Sequence, residues 1–258
     1  MEDRLHADIG DDEGPPQGGA AGSRGGLDRA GAIGGIAFTV LAFASTFVVP
    51  VAPAVDDSAA EIRDYLTDHQ TALGVSTVLY TTAMLAFVAF LAMVHRRIAA
   101  TARSAIAAGT FLVAGTACIT FGLLGGLLHA ALVQRIAPDA DDSLVAALYA
   151  VWDMVSFTGP PLAINVAVLV AAVVLYRDPT VPRWLAAVAA ASVALGVAAV
   201  VADLASGTGL PVALDLGGFA LANVWIVVLS VVVLRDRTAA GASSELGTGT
   251  VPARPAVV

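Results

Sequence analysis

The sequence predicts an all-α polytopic membrane protein with six transmembrane helices and both termini in the cytoplasm. Hydrophobic residues make up 58% of the chain and charged residues only 13%, which exceeds the apolar share of ordinary soluble domains. The apolar residues form six long stretches without a polar face, whereas a helix on a soluble core keeps one. The arginines gather at every second break between these stretches.

Each of the six stretches is long enough to cross a bilayer. A helix rises about 1.5 Å per residue, so about 20 residues cover about 30 Å of hydrocarbon. A transmembrane barrel would instead need segments of about ten residues with alternating polarity. The predicted spans are residues 31–51, 71–94, 105–133, 154–176, 184–202 and 212–234.

Two terminal segments differ in composition from the predicted six-helix domain at residues 28–237. Residues 1–27 are rich in Gly, Pro and Asp and have no apolar periodicity. Residues 238–258 are similarly poor in large apolar side chains. Such segments cannot bury enough apolar surface to fold, so we predict two disordered cytoplasmic tails.

The arginines predict the orientation. All 13 basic residues are arginine, and counting those at the span ends gives nine on one side against two on the other. The nine are Arg24, Arg29, Arg96, Arg97, Arg103, Arg177, Arg183, Arg235 and Arg237, and the two are Arg63 and Arg135. The positive-inside rule then predicts a bacterial cytoplasmic membrane protein with both termini on the cytoplasmic side. The lipid bilayer is the expected partner, and nucleic acid is disfavoured because no basic stripe is present.

Two predicted outer loops contain similar sequences. Residues 51–58 read V-A-P-A-V-D-D-S and residues 136–143 read I-A-P-D-A-D-D-S, with five of eight positions identical. One interpretation is a duplicated two-helix hairpin. The other is convergence, because both places need a proline to end a helix and an Asp or Ser to cap the next.

Each of these loops is predicted to lead into a short outer helix. Ser58 and Glu61 have the spacing of a capping box, and Ile62, Tyr65 and Leu66 follow at helical spacing to form an apolar face. In the second loop, Leu144, Leu148 and Trp152 share one stripe. These amphipathic segments are expected to lie on the outer leaflet or to cap the bundle.

A T-G-P-P sequence at residues 158–161 interrupts the fourth span. Two prolines remove two backbone donors and disturb the preceding turn. Asn165 follows Pro161 by four residues, and Thr158 shares that stripe. The functional hypothesis is a broken helix that exposes carbonyls and an amide to a ligand pathway. The alternative is a structural kink with Asn165 bonded to a neighbouring helix.

Four ionisable residues from four different spans lie towards the predicted outer face: His129, Asp153, Asp203 and Asp215. Ionisable groups within a membrane are candidate functional groups, for example as a metal site or a proton relay. The alternative is that they are solvated helix ends. Asp153, in particular, is expected to begin the fourth span, where carboxylates are favoured.

No catalytic, cofactor-binding or metal-ligating residue is predicted. The chain has no H-E-x-x-H, G-x-S-x-G or P-loop sequence, and its only cysteine, Cys118, cannot form an intrachain disulfide. The glycine pairs Gly31/Gly35 and Gly122/Gly126 have the spacing that allows helices to approach closely. They favour packing within the chain or, alternatively, homodimerisation.

The layout resembles that of small, uncharacterised six-span membrane proteins of bacteria, common in actinobacteria. The features that carry the resemblance are the G-x-x-G-G opening of the first span, the outer S-A-A-E-I segment with its Asp68–His69 pair, and the H-R-R cluster at residues 95–97. The resemblance implies no known activity, so it supplies no functional residue.

Together these features favour a non-enzymatic protein for binding, sensing or assisting transport. The expected partner is a small molecule or lipid in the outer half of the bundle. A small-solute or proton-coupled transporter is the first alternative, supported by the interrupted fourth span and the similar loops. A metal-dependent intramembrane enzyme is the second.

Overall fold

The computed structural model describes residues 19–101, 105–206 and 211–247. This part of the chain contains eight α-helices and two five-residue π-helical turns, labelled π1 and π2, and no strand. The α-helices are α1 Gly19–Phe47, α2 Ala59–Asp68, α3 Gln70–Thr101, α4 Ala105–Ala131, α5 Asp142–Asp153, α6 Gly159–Leu175, α7 Trp184–Ser206 and α8 Pro211–Gly247. The turns are π1 Leu132–Ile136 and π2 Met154–Thr158.

In the described part of the chain, six helical segments are long and apolar enough to cross a membrane, which confirms the predicted all-α class with six candidate spans; the orientation of the termini stays a prediction. The six segments are Gly26–Phe47, Gln70–Thr101, Ala105–Ile136, Asp142–Leu175, Trp184–Ala202 and Gly217–Asp236. The fourth is longer than predicted because α5, π2 and α6 follow one another without a break. Helix α1 begins at Gly19 and α8 ends at Gly247, so both reach into the segments predicted as tails, and disorder there stays a prediction.

The six spans form a closed ring in the order α1, α3, α4, α6, α7, α8, with α8 returning to α1. The closest pairs are α1 with α3, α7 with α8, and α4 with α6. Buried side chains from all six meet in one apolar cluster that includes Phe38, Phe87, Phe111, Val168 and Trp225. A single core therefore unites the ring.

Short helices cover one end of the ring, which we call the acidic face because it carries Asp57, Glu61, Asp64, Asp68 and Asp142. The opposite end, which carries Arg96 and Arg97, is the arginine face. Helix α2 packs on α5 over a second apolar cluster. Ser58 accepts a hydrogen bond from the Glu61 backbone N–H at 3.2 Å, and Ile62 and Leu66 are buried, as the sequence predicted. In α5 the buried side chains are Val145 and Tyr149, whereas Leu144 is 49% exposed. Leu148 and Trp152 of the predicted stripe are partly buried against the same cluster, so the apolar face of α5 includes them and is centred closer to Tyr149 than predicted.

The two similar loop segments occupy equivalent places and exchange contacts. Arg63 of α2 donates to the Pro138 carbonyl at 3.1 Å and pairs with Asp142 at 2.8 Å. Tyr149 of α5 donates to the Pro53 carbonyl at 2.8 Å. The proline carbonyl of each segment thus accepts a hydrogen bond from a side chain of the short helix that follows the other segment. This arrangement is the one that a duplicated hairpin would give, and duplication stays a hypothesis.

Replacing Tyr149 by Phe is expected to lower the free energy of unfolding by about 1 kcal/mol, because the Pro53 carbonyl loses its donor at a side chain that is 2% exposed. Tyr176→Phe is the matched control, since Tyr176 is 51% exposed. Thermal unfolding in detergent measures both variants. If Tyr149→Phe and Tyr176→Phe unfold at the same temperature, the Tyr149 hydroxyl does not stabilise the loop.

Both predicted glycine pairs pack within the chain, on α3. A Cβ placed on Gly31 would collide with Met93, and one on Gly122 would lie 2.8 Å from the Met84 sulfur. Gly35 faces Phe90 of α3 and Ser230 of α8. Helix α3 therefore receives α1 on one side and α4 on the other through surfaces that lack side chains.

Charged side chains join the helix ends at the arginine face. Arg97 of α3 lies 3.7 Å from a carboxylate oxygen of Asp178, in the α6–α7 loop, and 4.0 Å from one of Asp236 in α8. Arg96 pairs with Asp28 of α1. These pairs connect α3 to three other parts of the ring where the apolar core ends.

Candidate functional site

A histidine and a tryptophan stack near the acidic face, inside the bundle. The rings of His129 in α4 and Trp152 in α5 lie 4.5 Å apart and 16° from parallel. Thr77 of α3 places its hydroxyl oxygen 2.8 Å from Nδ1 of His129. Because His129 is only 7% exposed, the alternative of a solvated helix end does not hold for it: α4 continues through π1, and α5 covers the ring.

Two glycines of α4, one turn before His129, allow neighbouring elements to approach closely. A Cβ on Gly126 would lie 3.2 Å from the Thr81 hydroxyl oxygen, and one on Gly125 would lie 2.5 Å from the Ser156 hydroxyl oxygen. Hydroxyl groups from α3 and π2 can therefore approach the α4 backbone one turn below His129. The site combines an imidazole from α4, an indole from α5 and three hydroxyl groups, two from α3 and one from π2.

One atom of this site has no partner. Nε2 of His129 is buried and makes no hydrogen bond within the described part of the chain. A buried polar atom without a partner costs about 1 to 3 kcal/mol, so native proteins retain few of them. The unpaired nitrogen is therefore a candidate position for a hydrogen bond to a further group.

The two π-helical turns flank the site. Turn π1 directly follows the last turn of α4, which carries His129, and π2 directly follows Trp152 and Asp153. Such turns are rare in proteins, and those that occur are often found at functional sites.

The T-G-P-P sequence gives a physical reason for turn π2. Pro160 and Pro161 cannot donate to the carbonyls four residues earlier, and the wider turn ahead of them accommodates that loss without unwinding the helix.

Asn165 lies elsewhere in the bundle. It is 5% exposed, and a Cβ on Gly196 of α7 would collide with its amide nitrogen. Nearby, the Ser192 hydroxyl donates to the Gly218 carbonyl of α8 at 2.8 Å. The described contacts of Asn165 thus involve α7, whereas those of His129 involve α3 and α5. No described contact joins the two residues.

The remaining predicted residues have different positions. Asp153 was expected to begin a span; it ends α5 within a continuous helical segment, directly after Trp152, and its position relative to the membrane stays a prediction. Pro161 lies in the first turn of α6 and is half-buried. The side chains of Thr158, Asp203 and Asp215 lie outside the described part of the structure. Their participation stays a prediction.

Sequence reasoning missed Thr77, Thr81, Ser156 and Trp152 as members of the site. Trp152 had a usable signal, because both its loop and the end of α4 were predicted to lie at the same face. The threonines had none, since a hydroxyl in an apolar helix usually bonds to its own backbone.

A groove on the outside of the ring shares one residue, Thr77, with this site. It has a volume of about 550 Å³ and lies between α3 and the end of α4, lined by Gly74, Thr77, Val78, Ala130 and Gln134 among others. Thr77 therefore contacts both the groove and His129. Val78 is 66% exposed, as expected of a side chain that faces lipid.

Residues 19–101, 105–206 and 211–247 contain no group of three or more His, Cys, Asp or Glu side chains that could hold a metal ion, with the side chains of Asp203 and Asp215 outside that search. The metal-dependent enzyme hypothesis therefore gains no support from the described residues.

The described residues define an α-helical protein with six helices that are long and apolar enough to span a membrane. The chain belongs to a family described as a domain of unknown function, DUF4386, whose model matches residues 33–234. The match includes every residue of the site described above. No curated protein and no solved structure matches the chain.

Proposed function

We propose that this protein is a non-enzymatic membrane component that binds a small molecule next to His129 and Trp152. The observation that supports it is the buried Nε2 of His129, which has no hydrogen-bond partner among the described residues although two neighbouring side chains hold the ring in place. Thr77 fixes one ring edge and Trp152 one ring face. A side chain held this firmly is pre-organised for a ligand, which lowers the entropic cost of binding.

The proposed orientation places the site in the outer half of the membrane. It follows from the nine arginines at one face and two at the other, under the positive-inside rule. The protein would then receive its ligand from the outer leaflet or from outside the cell, and both chain termini would be available to cytoplasmic partners.

Replacing His129 by Leu is expected to remove the molecule that co-purifies with the protein. Wild-type and variant protein are purified in the same detergent, extracted with organic solvent and compared by mass spectrometry. We expect one species to fall about tenfold or more, the effect of losing one hydrogen bond to a buried group. His129→Gln, which keeps a polar side chain, checks that the loss does not come from misfolding.

His69→Leu is the matched control for that experiment. His69 is a half-buried histidine at the acidic face whose Nδ1 lies 3.0 Å from the Tyr65 carbonyl, away from the Trp152 stack. The variant should retain the species. Identical extracts from wild type and His129→Leu would contradict the proposal.

Transport is the second candidate function. It is supported by π2, which lies beside the site in the fourth helical segment, because π-helical turns occur frequently at functional sites. Uptake of solute into proteoliposomes distinguishes transport from binding alone.

A further inference from the structure

The hydrogen bonds of Thr77 determine which nitrogen of His129 carries the proton. A threonine hydroxyl has one proton to donate. Thr77 donates it to the Leu73 carbonyl, one helical turn earlier, at 2.9 Å. In the arrangement that keeps this bond, the Thr77 oxygen accepts from His129, whose Nδ1 lies 2.8 Å away. This arrangement satisfies both contacts, and in it Nδ1 is the protonated nitrogen.

The state of Nε2 follows from this assignment. In a neutral imidazole one nitrogen donates and the other accepts, whereas in the charged form both donate. The charged form would leave a donor at Nε2 without an acceptor among the described residues, in a membrane-embedded segment where charge is costly. His129 is therefore neutral, and Nε2 presents a lone pair.

We infer that the site takes an uncharged, lipid-soluble molecule that donates an O–H or N–H group to Nε2 of His129. This inference rests on the proposed function and adds the chemical class of the ligand. A carboxylate or phosphate would place its own lone pairs against that of Nε2. A buried cation would lose its hydration. The lipid-facing groove beside Thr77, lined mainly by apolar side chains, suits entry of such a molecule from the bilayer.

The test uses nitrogen NMR of protein labelled at histidine, with phenol and anisole as probes. The two probes have similar size and shape, but only phenol can donate a hydrogen bond. The signals of His129 are identified by their loss in His129→Gln. We expect Nδ1 to be protonated and Nε2 unprotonated, and we expect phenol, but not anisole, to shift the Nε2 signal.

The possible results separate the inference from the proposed function. A protonated Nε2 would overturn the inference. Equal shifts with both probes would also overturn it, while leaving a small-molecule site in place. No shift with either probe would exclude this ligand class, and the extraction experiment would then decide alone whether the site binds anything.

Variants of Thr77 test the assignment from the protein side. Thr77→Val removes the acceptor for Nδ1. We therefore expect a mixture of the two neutral tautomers, one protonated at Nδ1 and one at Nε2, and about tenfold weaker phenol binding. Thr77→Ser should restore the wild-type signals. Thr82→Val is the matched control, because the exposed Thr82 makes the same bond to its own helix, 2.8 Å from the Val78 carbonyl. An unchanged Thr77→Val spectrum would contradict the assignment.

Discussion

Replacing Gly34 by Ala is expected to destabilise the protein by about 3 kcal/mol, the upper part of the range for overfilling a packed interface. A Cβ on Gly34 would lie 2.6 Å from the Ala86 carbonyl oxygen and 3.1 Å from the Ala89 Cβ. Both belong to α3, and a helix backbone cannot move aside as a flexible side chain can. Helix α1 would have to separate from α3, which is its closest partner in the ring.

Gly109→Ala is the matched control, since a Cβ on Gly109 would meet nothing within 4 Å. Alanine is the better helix former by about 1 kcal/mol, so this variant should be as stable as wild type or more so. Unfolding by a titration with SDS measures both variants. Equal stability of the two would mean that α1 and α3 are not in close contact.

Replacing Arg97 by Gln is expected to cost about 2 to 3 kcal/mol. Its side chain and that of Asp178 are 18% and 16% exposed, and Asp236 would also lose its pairing partner. Removing one member of a fully buried pair costs about 3 to 5 kcal/mol, because the other charge is left uncompensated, and partial exposure reduces that value. We expect a joint loss of stability at the arginine face, in the ends of α3 and α8 and in the α6–α7 loop.

Arg177→Gln is the control, because Arg177 is exposed and lies one residue before Asp178. Its effect should stay within about 0.5 kcal/mol. The double variant Arg97→Gln with Asp178→Asn should recover part of the loss, since it removes both charges. If the double variant is as unstable as the sum of the single variants, the pair does not contribute.

The sequence alone determined the features that depend on composition and local chemistry. The six spans follow from unbroken apolar runs, because a backbone in lipid must bond to itself. The start of α2 follows from Ser58 and Glu61, which can satisfy the first turn of that helix without any tertiary contact. The prediction that both glycine pairs allow close approach needed only their spacing.

The tertiary structure alone decided which polar groups meet. His129, Thr77 and Trp152 are separated along the chain by 52 and 23 residues, as their numbers show, and nothing in their local sequence specifies that they touch. Their contact depends on the order of helices around the ring and on the rotation of α4 about its axis. In a membrane every face of a helix is apolar, so the sequence carries little information about that rotation. For the same reason the position of Asp153 within a continuous helix, and the partners of Arg97, became visible only in the assembled bundle.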